Sequence, residues 1–232
     1  MEIFLTKSRF IVDYMTYYII DDSDEKIQIG KIICLARTYQ KHAQEMNATI
    51  PKDPLLFLKP ESSIIFNHET IIYPSHSTCL HHEIELGVVI GKKGKNISQD
   101  TAMNHVFGYV VALDVTARDI QSNAKINGWP WSIAKGFDTF CPISNVVKKN
   151  KVSNPLNLSL KLFVNDQLQQ HSNTKYMVFS LEKIIEYISS VMTLKKGDLI
   201  LTGTPEGVGE IKPADTIKAY LGDICELNVA VR

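Results

Sequence analysis

Apolar residues in this chain recur mainly with a period of two or in short unbroken runs, and clusters of Gly, Pro, Asn and Asp separate the segments. That pattern predicts strands rather than helices. They fall at Lys31–Ala36, Leu55–Leu58, Thr70–Tyr73, Glu83–Ile90, Val106–Asp114, Leu158–Val164, Asp198–Leu201, Thr216–Leu221 and Ile224–Val231. Asn165-Asp166 sits between two of the polar and apolar alternations and predicts a hairpin turn. Helical spacing is clear over Leu181–Met192, where Leu181, Ile184, Ile185, Ile188, Val191 and Met192 share one face and Ser180 is placed to cap the start. A shorter helix is expected over Thr38–Met46 from its Gln, Lys, Ala and Glu content. The expected class is α+β, rich in β, with a few short helices.

The polar run Asp21–Lys26 is the sharpest break in composition. It marks residues 1–29 as an N-terminal arm or as the first hairpin of the domain, and residues 30–232 as the main domain. Apolar stretches near the start, Phe10-Ile11-Val12 and Tyr17-Tyr18-Ile19-Ile20, are split by Asp13 and preceded by Glu2, unlike a secretory signal. No run approaches the length of a membrane span. Lys plus Arg and Asp plus Glu number 25 each, so no net field favours nucleic acid or an anionic membrane. A small molecule, or a second copy of the chain, is the expected partner. Cys34, Cys79, Cys141 and Cys225 are widely spaced among apolar neighbours, as free thiols in a reducing, cytoplasmic setting are.

Chemistry concentrates in two segments. In His82-Glu83-Ile84-Glu85-Leu86-Gly87 an extended backbone puts Glu83 and Glu85 on one face, while Ile84 and Leu86 face a core. Two carboxylates held this way repel unless a cation sits between them, and an all-oxygen set suits Mg²⁺ or Mn²⁺. The same alternation also describes the wet face of a half-buried strand. A second run, Val110-Val111-Ala112-Leu113, delivers Asp114 at its end with Arg118 and Asp119 close behind, and a charge cluster there favours a site. His81, Cys79 and His76 leave zinc open, although no paired Cys or His spacing supports it. The Gly- and Thr-rich loop Thr202–Gly209 could hold an anion or be a plain turn.

Together these segments resemble the fumarylacetoacetate hydrolase family, in particular its small single-domain acylpyruvases and oxaloacetate decarboxylases. The likeness is carried by Ala36-Arg37-Thr38-Tyr39 with His42 and Glu45, Phe57-Leu58-Lys59-Pro60, His81 to Gly87, Asp114 to Asp119 with Gln121, Trp131 to Lys135, and Thr202-Gly203-Thr204-Pro205. It implies a mixed β-sheet roll of that family's C-terminal domain type over residues 30–232, usually as a homodimer. It also implies Glu83, Glu85 and Asp114 as ligands of Mg²⁺ (or Mn²⁺), with Lys135 beside them. His42 and Glu45 would lie on a lid and act as base and orienting carboxylate. Arg37, Arg118, Gln121 and Thr204 would surround the substrate, Thr204 gripping its carboxylate and Arg118 pairing with Asp114 or Asp119. Lys135 is expected either to have a depressed pKa or to hold a fixed cation. Where the family has Gly and Asn around the arginine, Ala36 and Thr38 stand here, which predicts altered lid geometry.

The implied reaction is cleavage of a carbon-carbon bond in a small 2-keto acid, by hydrolysis of an acylpyruvate or loss of CO₂ from oxaloacetate, with the enolate of pyruvate as the leaving fragment. Isomerisation or decarboxylation of a 2-hydroxyhepta-2,4-diene-1,7-dioate is the alternative chemistry. A catalytically inactive, ligand-binding homodimer is the alternative without chemistry.

Overall fold

A computed structural model describes residues 16–232. The apolar runs form two main sheets and two small ones. The larger sheet is mixed and runs, edge to edge, Val147–Lys148, Val106–Leu113, Ile84–Ile90, Leu199–Leu201, Ile32–Ala36 and Leu55–Lys59. Its one parallel pairing sets Ile33 against Ile200. The second sheet orders Gln167–Asn173, Ser159–Val164, Thr216–Leu221, Cys225–Val231 and Thr70–Ile71. Leu80–His82 pairs with Gly209–Ile211 on one side and Thr116–Ala117 on the other, which carries the chain between the sheets and into the site.

Strand alternation divides the interior in two. Ile33, Leu35, Ile84, Leu86, Val88 and Ile90 point into a core shared with Leu160, Leu162, Ile217, Leu227 and the helix Leu181–Val191. Ile32, Cys34, Val89, Leu199 and Leu201 point the other way, onto Tyr18, Ile20, Ile27 and Ile29. Residues 16–29 are thereby packed on the main sheet: Tyr18 bonds Ile27 through the backbone, Ile20 bridges Val146, and the polar run at Asp21 forms the turn between. Phe10-Ile11-Val12 lies outside the described residues.

Asn165 and Asp166 make the expected turn, both at positive φ (50° and 61°), with Val164 paired to Gln167. The Ser180 hydroxyl accepts the Lys183 N–H, so the predicted cap forms. The helix ends one residue early, however, and Val191 is 56% exposed. It belongs to the last turn and lies at the edge of the apolar stripe, past the reach of the core. The helix Arg118–Asn127, which buries only Gln121 and Ala124, and the short helix Ser132–Lys135 carry no apolar periodicity and are not legible in it.

Candidate active site

Glu83, Glu85 and Asp114 meet at the floor of a cavity of about 460 Å³. Glu85 comes from the strand Ile84–Ile90, Glu83 from the residue before it, and Asp114 from the residue after the neighbouring strand, whose Leu113 pairs with Ile84. One oxygen from each carboxylate lies within 4.8 Å of the others, and the residues are only 6%, 1% and 1% exposed. The wet-face reading of this strand is therefore wrong. Glu83 and Glu85 turn away from the core that receives Ile84 and Leu86, but into an enclosed cavity.

Three cations balance them. Lys135 Nζ donates to Asp114 Oδ2 (2.5 Å), Thr116 Oγ1 (2.6 Å) and Glu83 Oε2 (3.0 Å). Arg118 pairs with Glu83 Oε1 and donates from its other terminal nitrogen to Gln121 Oε1 (2.7 Å). The expected pairing of Arg118 with Asp114 or Asp119 is thus corrected: the helix Arg118–Asn127 aims the guanidinium back at Glu83, and Asp119 accepts from Ser77 and Thr78. Lys59 is the third cation, and pattern reading gave it no role. Fully buried at the end of an edge strand, it donates to the carbonyls of Lys135, Phe140 and Val115 (2.6, 2.9 and 3.0 Å) and stands 2.8 Å from Asp114 Oδ1. Its signals were a lone lysine closing the apolar run Leu55–Leu58 before Pro60 and its place in the Phe57-Leu58-Lys59-Pro60 segment of the family resemblance.

Electrostatics separates the carboxylates. Burial alone would raise Glu83, but Lys135 and Arg118 more than reverse it and hold the carboxyl well below its usual range. Burial, and then Asp114 and Glu83, push Glu85 well above that range, although Glu85 Oε2 accepts the Gly203 N–H at 2.6 Å. For Lys135, burial is outweighed by Asp114 and Glu83, so its pKa rises. With Asp114 and Glu83 in contact, Lys135 fits the fixed-cation expectation.

The donor set fits a hard divalent cation. Asp114 Oδ1 is buried and accepts no hydrogen bond, because the three protons of Lys59 are already directed at carbonyls. Among the described residues no other cluster of three His, Cys, Asp or Glu side chains could hold a metal. His81, His76 and Cys79 stay outside it, and burial and Arg118 draw His81 down to about 4.

His42 and Glu45 sit on the helix Gln40–Glu45 with His42 Nδ1 3.1 Å from Glu45 Oε2, as their spacing predicts. His42 lines the cavity, and Glu45 also accepts the Gly207 N–H at 3.1 Å, latching this helix to the loop after Leu201. In the segment Ala36-Arg37-Thr38, where altered lid geometry was expected, Ala36 is not at positive φ. The residue at positive φ is Arg37 (59°), and the Thr38 hydroxyl donates to the Thr202 carbonyl at 2.7 Å, pinning the segment. Thr204 lines the cavity, but its hydroxyl donates to the Ile84 carbonyl (2.8 Å) and accepts from Gln170 Nε2 (3.0 Å). The hydroxyl thereby ties this loop to the strand Ile84–Ile90 and to the second sheet. Gln170 itself accepts from the Ile84 N–H and His82 Nδ1, joining the second sheet to the site; no local pattern marked it. Arg37, Arg118 and Gln121 all line the cavity, as does Lys125, which pattern reading passed over.

A family model described as fumarylacetoacetate (FAA) hydrolase C-terminal matches residues 31–232. The chain is 48% identical over 201 residues to a mitochondrial oxaloacetate tautomerase of Arabidopsis thaliana, covering 87% of this chain and 90% of that protein. It is 49% identical over 189 residues to a mitochondrial oxaloacetate decarboxylase of Dictyostelium discoideum, covering 81% and 87%. Among solved structures, fumarylpyruvate hydrolase of Pseudomonas aeruginosa in complex with Mn²⁺ and pyruvate superposes with a TM-score of 0.92 at 32% identity, over 96% of this chain and 98% of that one.

Proposed function

The chain belongs to the fumarylacetoacetate hydrolase family, and from that premise we propose that it is a Mg²⁺- or Mn²⁺-dependent enzyme cleaving a carbon-carbon bond in small 2-keto acids. The observation that carries this reading is the floor of three buried carboxylates, one oxygen of each within 4.8 Å of the others. Glu83, Glu85 and Asp114 would hold the ion. Bound there, it would supply a Lewis acid for the keto and carboxylate oxygens of the substrate and stabilise the charge that develops as the bond breaks.

The protein's own groups do the rest. Lys135 and Lys59 fix Asp114 from both sides, and Arg118 fixes Glu83, so the oxygens are presented without rotamer freedom. Glu45 takes the Nδ1 side of His42 and leaves Nε2 for the cavity. An imidazole so oriented can accept a proton from water attacking the distal carbonyl of an acylpyruvate. Loss of CO₂ from oxaloacetate needs no such proton, so one floor serves two reactions. Assays of acetylpyruvate, fumarylpyruvate and oxaloacetate test the proposal. Turnover of at least one is expected with Mg²⁺ or Mn²⁺ and none in excess chelator, whereas full turnover in chelator would defeat the reading.

We also propose that the enzyme is a homodimer. Leu58, Trp129 and Ile133 are exposed around the edge strand Leu55–Lys59, and Leu55, Leu58, Trp129 and Trp131 line one apolar groove there. Sedimentation equilibrium is expected to give the mass of two chains. The mass of one chain at micromolar concentration would refute it.

A further inference from the structure

Gln167–Asn173 is an edge strand of the second sheet whose first residues, Gln167, Leu168 and Gln169, are exposed, and yet Gln170 beside them is fully buried. A bulge is the cause. Leu162 faces Gln170 and Phe163 faces Leu168, so Gln169 has no partner across the pair, and the extra residue turns the next side chain inward. There the amide meets two backbone groups of fixed role. Gln170 Oε1 accepts the Ile84 N–H at 3.0 Å, and its Nε2 donates to the Pro205 carbonyl and to Thr204 Oγ1, each at 3.0 Å. Only an amide accepts on one side and donates on the other. The loop it holds reaches a carboxylate at both ends, for the Gly203 N–H bonds Glu85 Oε2 at 2.6 Å and the Gly207 N–H bonds Glu45 Oε1 at 3.1 Å. Gly207 also rests on the bulge: at φ +91° it has no room for a side chain, since a Cβ would lie 2.5 Å from the Gln169 carbonyl oxygen.

We propose that Gln170 is a positioning residue for the His42–Glu45 pair: with the Gln169 bulge it fixes the loop Thr204–Gly207, and that loop fixes Glu45. This rests on the reading of His42 as the base for hydrolysis. Gln170 does not line the cavity and touches no reacting atom, so its effect travels through the Gly207 N–H to Glu45 and from Glu45 Oε2 to His42 Nδ1, 3.1 Å away. Misplacing a catalytic group by about 1 Å costs up to about 10²-fold in the step that uses it. Loss of CO₂ does not use that base. The second sheet, which contributes no residue to the cavity wall, thereby sets the balance between the two reactions through one buried amide.

The test is kcat and KM for acylpyruvate hydrolysis and for oxaloacetate decarboxylation, with Mg²⁺ saturating, in wild type, Gln170→Met and Gly207→Ala. Gln170→Met keeps the volume and removes the bonds, and is expected to lower kcat for hydrolysis by about 10- to 10²-fold and for decarboxylation by less than about threefold. KM for both substrates should stay within about twofold. Gly207→Ala leaves the Gln170–Ile84 bond in place and displaces only the loop, so it should divide the reactions in the same sense, and it decides alone if Gln170→Met does not fold. In a Glu45→Ala background, Gln170→Met should cost hydrolysis nothing further, because the contact it acts through is already gone. Equal losses in the two reactions, or additive losses in the double variant, overturn the positioning role and leave His42 as base, which His42→Ala tests separately. A wild type lacking either reaction removes the reading underneath and the proposal with it.

Discussion

Asp114→Asn is expected to lower metal-dependent turnover by roughly 10³-fold or more, because an ion that stabilises developing charge contributes several kcal/mol and each 1.36 kcal/mol is a factor of ten. The amide keeps the shape of the carboxylate but removes its charge from the ion. It also removes charge from Lys59 and Lys135, which stand 2.8 and 2.5 Å from it in the interior. Leaving buried ammonium groups uncompensated costs about 3–5 kcal/mol, so a lower melting temperature should accompany the loss. Asp114→Ala would open a gap between the two lysines as well, which makes Asn the cleaner variant. Turnover should therefore be measured where circular dichroism shows the variant folded. Retention of more than a tenth of wild-type activity under saturating Mg²⁺ would remove Asp114 from the ligand set.

His42→Ala should divide the two reactions. Hydrolysis of an acylpyruvate is expected to fall by about 10²- to 10⁴-fold, the usual contribution of a general base, while decarboxylation of oxaloacetate should fall less. The geometry behind this is the His42–Glu45 contact at 3.1 Å and the position of His42 on the cavity wall. Decarboxylation need not be untouched, since the same helix closes one side of the cavity through Glu45 and Gly207. The measurement is the ratio of kcat values with metal saturating. Equal losses would make His42 a positioning residue and end its assignment as base.

How far the site could be read beforehand depended on how local its cause is. Glu83 and Glu85 were legible because two-residue alternation with Ile84 and Leu86 is a property of the strand itself. The His42–Glu45 contact was legible for the same reason on a helix. Lys59 was not, since its partners are carbonyls of residues 115, 135 and 140, supplied by three segments that meet only in the folded chain. Arg118 was assigned to acids nearby in sequence, and its partner Glu83 comes from a different strand. The helix Arg118–Asn127 escaped detection because its buried face is Gln121 and Ala124, too polar and too small to make a stripe. Thr204 was read as gripping a substrate carboxylate, and the bonds of its hydroxyl to Ile84 and Gln170, residues distant in sequence, were not legible.

The order of strands in the larger sheet bears on how the protein is made. Leu199–Leu201 is wedged between Ile84–Ile90 and Ile32–Ala36, so the two early strands cannot join until the last third of the chain arrives. At about 5–20 residues per second, a ribosome leaves them waiting on the order of ten seconds. Throughout that interval the nascent chain carries two open apolar edges, the kind of surface that seeds aggregation or recruits a holding chaperone. Thr204, a few residues beyond the wedge strand, is the last residue to reach the cavity wall, so an enzyme truncated before Leu199 has neither a closed larger sheet nor a complete pocket.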